Sequence, residues 1–301
     1  MQPLVSIGLP TYNRVALLER AIDSVLAQTH RAVELIVSDN ASTDRTEELC
    51  RARAARDSRL RFVRQPENRG PTANFNAVLD AATGSRFMWL SDDDWLDANY
   101  VAACLETMAA RPEVTIAAGR CHHYDAAGRF LLEDVSTNLT QPSVANRLIA
   151  YFADVNYNSI FYGLMPTSLA RQPGGGMRNA LAADWMVVAG MLVHGHAVTV
   201  EQTRVHRTVG GTSRSVRNIA KVLGLPFTHW VAPEFTIAFD AERRVLELPW
   251  PAGVSQETRR ETARRIRDLL LVRRTKVRRF MPKSMRAAIL RRLSTPLPVT
   301  A

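Results

Sequence analysis

The chain is poor in cysteine, in long apolar runs and in glycine-rich loops. Its three cysteines in 301 residues, Cys50, Cys104 and Cys121, stand far apart with no CxxC or Cys/His spacing, which argues against a disulfide framework and against a zinc site. They read as packing residues in a reducing cytoplasm. The longest apolar window, near Met186–Val193, falls short of the ~20 residues that cross a bilayer, so no membrane span is expected. The opening stretch MQPLVSIGLPTYNR does not read as a secretory leader, because no basic region precedes a long apolar core. No GxGxxG follows the first apolar segment and no GxxxxGK[ST] occurs, which disfavours a dinucleotide site and a P-loop.

What is present is unevenly distributed. The net charge is +10, yet residues 255–301 hold 14 Lys/Arg against 3 Asp/Glu, leaving 25 against 26 before them. The whole basic excess lies in the tail, so tail and body need separate explanations. Within the body, apolar β-branched runs alternate with helical spacing. Leu4–Leu9 precedes a helix over Val15–Gln28, Val33–Val37 one over Thr43–Arg56, and Leu60–Val63 one over Pro71–Ala82; Arg86–Leu90 then reads as a fourth strand. That alternation predicts right-handed βαβ units and a mostly parallel sheet flanked by helices, an α/β fold. Ligands of such sheets sit beyond the carboxyl ends of the strands, where Pro10–Arg14, Ser38–Asp44, Pro66–Gly70 and Ser91–Asp94 all fall. A helix is expected over Trp95–Met108. Further on, Val114–Asp125 and Phe130–Val135 pair as strands, Ser143–Phe152 and Leu181–Val193 are helical, and Val198–Val209 is extended.

The stretch FMWLSDDDWLDANYV raises a sharper question. Three adjacent carboxylates at the end of a buried strand repel one another unless solvent, a cation or a ligand's hydroxyls relieve them. Hard oxygen ligands suit Mn²⁺ or Mg²⁺, which could bridge a carboxylate and a diphosphate. The triplet read alone is equally a solvated acidic loop.

Taken with its order along the chain, the set LVSIGLPTYNR, LIVSDNASTDRT, ENRGPTANFNAVLDAATGSRFMWLSDDD and ALAADW resembles family 2 glycosyltransferases of the Rossmann-like GT-A fold. The likeness is close over about the first 115 residues and weaker to about residue 215. It implies that Asp92-Asp93-Asp94 is the DxD motif, with Asp94 holding a divalent metal, Asp92 near the ribose and Asp93 serving the sugar or the loop. It also implies that Asp39 accepts from a pyrimidine N–H, as a carboxylate can, and that Pro10, Thr11, Tyr12 and Asn13 form a nucleotide wall. Asn68, Arg69 and Gly70 match its N-x-G loop, with Arg69 able to meet phosphate. Asp184 matches the position of the general base, although Ala183 replaces the acidic residue that often precedes it. His206 resembles a metal- or phosphate-contacting position, and Arg207 and Ser213 share its Gly-containing stretch, which would suit a loop closing over the donor. His122 and His123, adjacent in a strand, face opposite sides and cannot share a metal without distortion.

The tail, Ser255–Phe280 and then Ser284–Leu293, reads as two basic amphipathic helices. Ile266, Leu269, Leu270, Val277 and Phe280 gather on one side, and Met285 continues it. Such helices lie on anionic membranes or dock their apolar face on the body. With Phe280 its one aromatic residue, the tail is a poor base-stacking platform, and no nucleic acid partner is expected.

The expected organisation is therefore a GT-A domain over 1–215, divided into a nucleotide-binding half (1–115) and an acceptor and catalytic-base half (116–215). A connecting segment (216–254) and a basic helical tail (255–301) follow. The expected activity is inverting, metal-dependent transfer from a UDP- or dTDP-linked sugar to a saccharide or lipid-linked acceptor, in the cytoplasm or on the inner face of the plasma membrane. A sugar-nucleotide pyrophosphorylase and a non-catalytic nucleotide or nucleic-acid binder are the alternatives.

Overall fold

The computed structural model describes residues 2–155, 157–210, 215–274 and 282–297. Ser213, Val277 and Phe280 lie outside the described residues. The chain begins with strand β1 (Val5–Thr11), helix α1 (Val15–Leu26), β2 (Val33–Asp39), α2 (Thr46–Ala54), β3 (Leu60–Arg64), α3 (Gly70–Asp80) and β4 (Arg86–Trp89). These four strands are parallel and ordered β3-β2-β1-β4. The chain thus winds outward through β2 and β3, then returns to the other side of β1. The resulting switch point, between β1 and β4, is where an open α/β sheet leaves a crevice. Val5, Ile7 and Leu9 on β1 and Phe87, Met88 and Trp89 on β4 are wholly buried, as continuous apolar strands covered on both faces must be.

Beyond β4 come β5 (Trp95–Leu96), α4 (Tyr100–Ala110), β6 (Val114–Tyr124), β7 (Phe130–Glu133), α5 (Val144–Asp154), β8 (Met165–Pro166), α6 (Thr167–Ala170), α7 (Ala183–His194) and β9 (His196–Thr208). β8 closes the first sheet as an antiparallel partner of β4. The others form a second sheet, β5-β9-β6-β7, in which β6 and β9 run parallel over most of their lengths. The helix expected from Trp95 begins only at Tyr100, because Trp95 and Leu96 pair with His206 and Val205 of β9. That short ladder pins the acidic loop to a strand more than 100 residues away. Helix α7 is apolar almost all round and buried from Ala183 to Val193 apart from Asp184, the signature of an internal helix.

The stretch 216–254, read above as a connector, forms α8 (Val216–Val222), α9 (Phe227–Val231) and α10 (Pro233–Leu246). Helix α11 (Gln256–Arg274) lies between α10 and α5 and buries Thr262, Ala263, Ile266, Leu269 and Leu270 there. Of the two readings of the tail, membrane-lying or docked on the body, α11 takes the second: its apolar stripe is covered by the body. Helix α12 (Lys283–Ser294) packs on α5 and α11. Its end is tied down by Asn146, which accepts from the Leu297 N–H at 2.7 Å and donates to the Leu297 carbonyl at 3.2 Å.

One contact sets the spacing between sheet and helix behind the crevice. A Cβ built on Gly8 of β1 would stand 2.6 Å from Val78 Cγ2 of α3 and 2.9 Å from the Phe87 ring. Gly8→Val should therefore cost at least about 2 kcal/mol through overpacking, measured as a lowered urea midpoint at unchanged slope.

Candidate active site

The loops after β1, β2, β3 and β4 are stitched to one another by their own polar side chains. Asn13 accepts from the Thr43 N–H at 2.7 Å, while its own N–H donates to Ser42 Oγ at 2.8 Å. Asn40 donates to Asn68 Oδ1 at 2.8 Å and accepts from the Arg69 N–H at 3.0 Å. Buried Asn74 of α3 donates to the carbonyls of both Thr11 and Ser38. Asn68 therefore shapes its turn together with Gly70, whose φ of +80° suits glycine, and Arg69 is left exposed at the head of α3. Pro10 lies within β1 opposite Ser38, and Tyr12 projects at 42% exposure from the end of that strand.

Asp39 ends β2 fully buried. One carboxylate oxygen accepts from the Ser42 N–H at 3.0 Å and the other is paired with Arg64 at 2.5 Å. A carboxylate has about four lone-pair directions, so these two partners orient it without exhausting it.

The three aspartates lie in a turn closed by the Asp94 N–H donating to the Ser91 carbonyl at 3.2 Å, and each has a different partner. Asp92 accepts from Thr11 Oγ at 2.8 Å. Asp93 pairs with Arg14 at 3.0 Å, so it turns away from the other two even though the segment is not extended. Asp94 is 2% exposed and accepts from the Thr208 N–H at 2.9 Å. Burial is the main cause that pushes Asp94 up to about 7 and Asp92 up to about 6, and the neighbouring Asp93 charge adds to both. Arg20 fastens the turn from outside: it donates to the Asp93 carbonyl at 3.0 Å and lies 3.6 Å over the Trp95 ring.

Asp184 sits in the first turn of α7, half-buried, and accepts from Asn158 Nδ2 at 2.7 Å. Asn158 in turn accepts from the Tyr151 hydroxyl at 2.6 Å, so its amide orientation is fixed from behind. Burial raises the Asp184 pKa, while the Asn158 bond and the charge of Arg207 oppose that rise. Among the described residues four non-glycine residues have left-handed φ: Asn13, Ala41, Asn158 and Ala182. Two shape the loops after β1 and β2, and two flank Asp184. Strain of this kind, on the order of 1–3 kcal/mol each, persists where the surroundings over-determine the backbone.

Two of the expected roles land differently. His206 faces away from Asp94: its Nε2 donates to Asp97 at 2.8 Å, its Nδ1 lies 3.2 Å from the Tyr124 hydroxyl, and its ring stacks on Trp95. Both nitrogens are engaged, and burial holds its pKa below the usual histidine value. His206 is thus a packing residue rather than a metal ligand. The next residue, Arg207, points to the opposite face of β9, as strand alternation requires. Its Nε lies 3.7 Å from Asp94 Oδ2, its guanidinium covers the Tyr162 ring at 4.7 Å, and it donates to the Tyr157 carbonyl at 2.8 Å. Burial opposes its charge, but the surrounding Tyr162, Asp94, Cys121 and Asp184 outweigh that and leave its pKa raised. Arg207 stands as the counter-ion beside Asp94, and its charge is felt at Asp184 as well. Pairing of β9 with β5 through neighbouring residues was the signal for it, and only the β9 register decides which of His206 and Arg207 turns inward.

The donor set suits a cation held jointly with a ligand. Among the described residues no three His, Cys, Asp or Glu side chains cluster as a protein cage for a metal. A buried carboxylate with a raised pKa, lacking any close cationic hydrogen bond, matches instead the small share of ligands that proteins supply to Mg²⁺ or Mn²⁺ when phosphates supply the rest.

Residues 6–156 match the family described as Glycosyl transferase family 2. The chain belongs to that family. A Campylobacter jejuni GalNAc(5)-diNAcBac-PP-undecaprenol beta-1,3-glucosyltransferase is 40% identical over 95 residues, 31% of this chain and 31% of that one. The first three curated relatives are spanned over only 14%, 31% and 38% of their own lengths. In three dimensions this family 2 chain is similar to Staphylococcus aureus TarS 1–349, with a TM-score of 0.60 and 14% identity over 90% of this chain and 71% of that one. It is also similar to the mannosyltransferase PcManGT of Pyrobaculum calidifontis, solved with GDP-Man and Mn²⁺, with a TM-score of 0.57 and 18% identity over 99% and 77%. The fold is GT-A.

The acidic pair carries a pH signature. A carboxylate whose folded pKa is raised binds its proton more tightly in the folded state, so its contribution falls as pH rises from the ordinary carboxylate range to the raised value. In chelator, stability should drop between about pH 4 and pH 7 by up to roughly 1.4 kcal/mol per pH unit for Asp94. Asp94→Asn should flatten that slope, measured by denaturant titration at each pH.

Proposed function

We propose that this family 2 chain transfers a sugar from a nucleotide-diphosphate donor to an acceptor hydroxyl in one inverting displacement. The observation that supports it most is the convergence on one crevice of a buried acidic turn at the β1/β4 switch point and of Asp184, linked through Arg207. The acceptor oxygen attacks the anomeric carbon, the bond from that carbon to the diphosphate oxygen breaks with its electrons, and the acceptor proton passes to Asp184. The raised pKa of Asp184 moves a carboxylate toward neutrality, where a general base works best.

The roles follow from position. Asp39, held by Arg64 and Ser42, presents its carboxylate to the N–H of a uracil or thymine base, with Pro10, Thr11, Tyr12 and Asn13 as the wall beside it. Asp92, oriented by Thr11, takes ribose hydroxyls. Asp94 would hold Mn²⁺ or Mg²⁺, which when bound neutralises charge on the leaving diphosphate. The charge of Arg207 opposes, without cancelling, the rise that burial imposes on the pKa values of Asp94 and Asp184. Asn68 and Gly70 set the turn, and Arg69 is free to reach phosphate.

TarS has been solved with UDP and with UDP-GlcNAc, which supports a uridine donor. The Campylobacter relative's name supports a lipid-linked saccharide among the acceptor classes, and so an envelope polysaccharide or glycolipid product. The free, buried cysteines fit a cytoplasmic setting. Residues 1–215 are the catalytic unit, and α8 to α12 brace its acceptor side. A pyrophosphorylase is disfavoured because LPTYNR after β1 is not a glycine-rich basic loop.

In an assay with UDP-, dTDP- and GDP-sugars, Asp184→Asn should lower transfer by at least about a thousandfold with donor affinity retained. Asp94→Ala should remove metal-dependent thermal stabilisation by the nucleotide. Transfer by Asp184→Asn at the native rate would sink the base assignment. Asn158→Ala should lower kcat about tenfold or more with little change in donor KM and shift the acidic limb of its pH profile upward, as expected when a bond that stabilises the Asp184 carboxylate is lost.

A further inference from the structure

Helix α10 is apolar on two sides. Ile237, Ala238, Ala241 and Val245 are buried against the body, while Phe235, Phe239 and Leu246 are 43%, 53% and 43% exposed on the outside. Just before it, α9 leaves Phe227 72% and Val231 55% exposed. Side chains this large, close together and open to solvent mark an interaction surface. The cations beside them are placed as at a bilayer interface. Lys221 Nζ stands 5.5 Å over the Trp230 ring, which itself lies 6.3 Å from the Phe227 ring. The Arg267 guanidinium lies 5.9 Å from the Phe239 ring and is held there by Glu242 and Asp268, each at 2.9 Å. Arg217, Arg260 and Arg264 are exposed on the adjoining helices. Apolar anchors with long basic side chains that can keep their charges outward are what an anionic headgroup layer accepts.

The surface also adjoins the acceptor side of the site. Arg274 stacks 4.2 Å over Trp185, the residue after Asp184, and feels the charge of Glu234, which immediately precedes Phe235.

We propose that α9 and α10 dock this chain on an anionic phospholipid bilayer, with Phe227, Val231, Phe235 and Phe239 entering the headgroup layer and Lys221 and Arg217 of α8 meeting lipid phosphates. The basic tail contributes α11 as the support of that surface, its own apolar stripe being buried. The surface does not depend on the transfer reaction, since vesicle binding reads it directly.

The test is cosedimentation of the full chain with phosphatidylcholine vesicles with and without phosphatidylglycerol. Binding should require phosphatidylglycerol and fall with salt. The double variant Phe235→Ser/Phe239→Ser should bind at least about tenfold more weakly while keeping the native thermal midpoint and transfer to a water-soluble acceptor. Met285→Ser on α12 should bind as the native chain does. Brominated lipids should quench Trp230, read as the difference from Trp230→Phe. Native binding by the double variant, loss of binding by Met285→Ser, or absence of Trp230 quenching would each overturn the proposal. So would loss of a concentration-dependent dimer in the double variant without loss of vesicle binding, which would assign the surface to a second copy.

Discussion

Burying two carboxylates at the end of β4 is the constraint around which the crevice is arranged. Desolvation disfavours their charged forms by several kcal/mol unless partners compensate, and those partners come from segments far apart in the chain. Thr11 and Arg14 reach Asp92 and Asp93 from the loop after β1, and Thr208 and Arg207 reach Asp94 from the end of β9. The β5/β9 ladder and the Arg20 stack on Trp95 hold these elements in register. A short acidic turn thereby joins the β1–β4 sheet to the β5-β9-β6-β7 sheet. The compensation at Asp94 is incomplete, since Arg207 stays outside hydrogen-bond distance, and that incompleteness is the ground for proposing Asp94 as the carboxylate that takes a cation.

Arg207 links this turn to Asp184. Its half-buried guanidinium lies 3.7 Å from Asp94, and its charge also lowers the cost of ionising Asp184. The left-handed Asn158 and Ala182 on either side of Asp184 show a second place where local stability is given up for geometry.

The parts of the fold built by local alternation were legible. The strands β1 to β4 and helices α1 to α3 follow from period and turn chemistry because neighbouring elements in a βαβ chain pack on each other. The β6/β7 hairpin, helix α5 and the end-of-strand position of the four polar loops were legible for the same reason. The first turn of the expected helix at Trp95 was not, because pairing with β9 overrides helical propensity there. Nor was the choice between His206 and Arg207, since both are polar and adjacent and only the register of a long-range pairing assigns their faces.

The tail shows the same division most plainly. Composition alone determined that it would be basic and that a stripe of Ile266, Leu269 and Leu270 would need cover; what covers it was decided by tertiary structure, which puts α10 and α5 there and turns outward a set of phenylalanines with no basic run of their own to announce them. The sequence alone determined the parallel sheet and the carboxylates delivered beyond the carboxyl end of its fourth strand, because these depend on contacts between consecutive elements. Only the tertiary structure decided which cation faces those carboxylates and which apolar face remains exposed, because both depend on pairings between segments far apart in the chain, whose register no local pattern encodes.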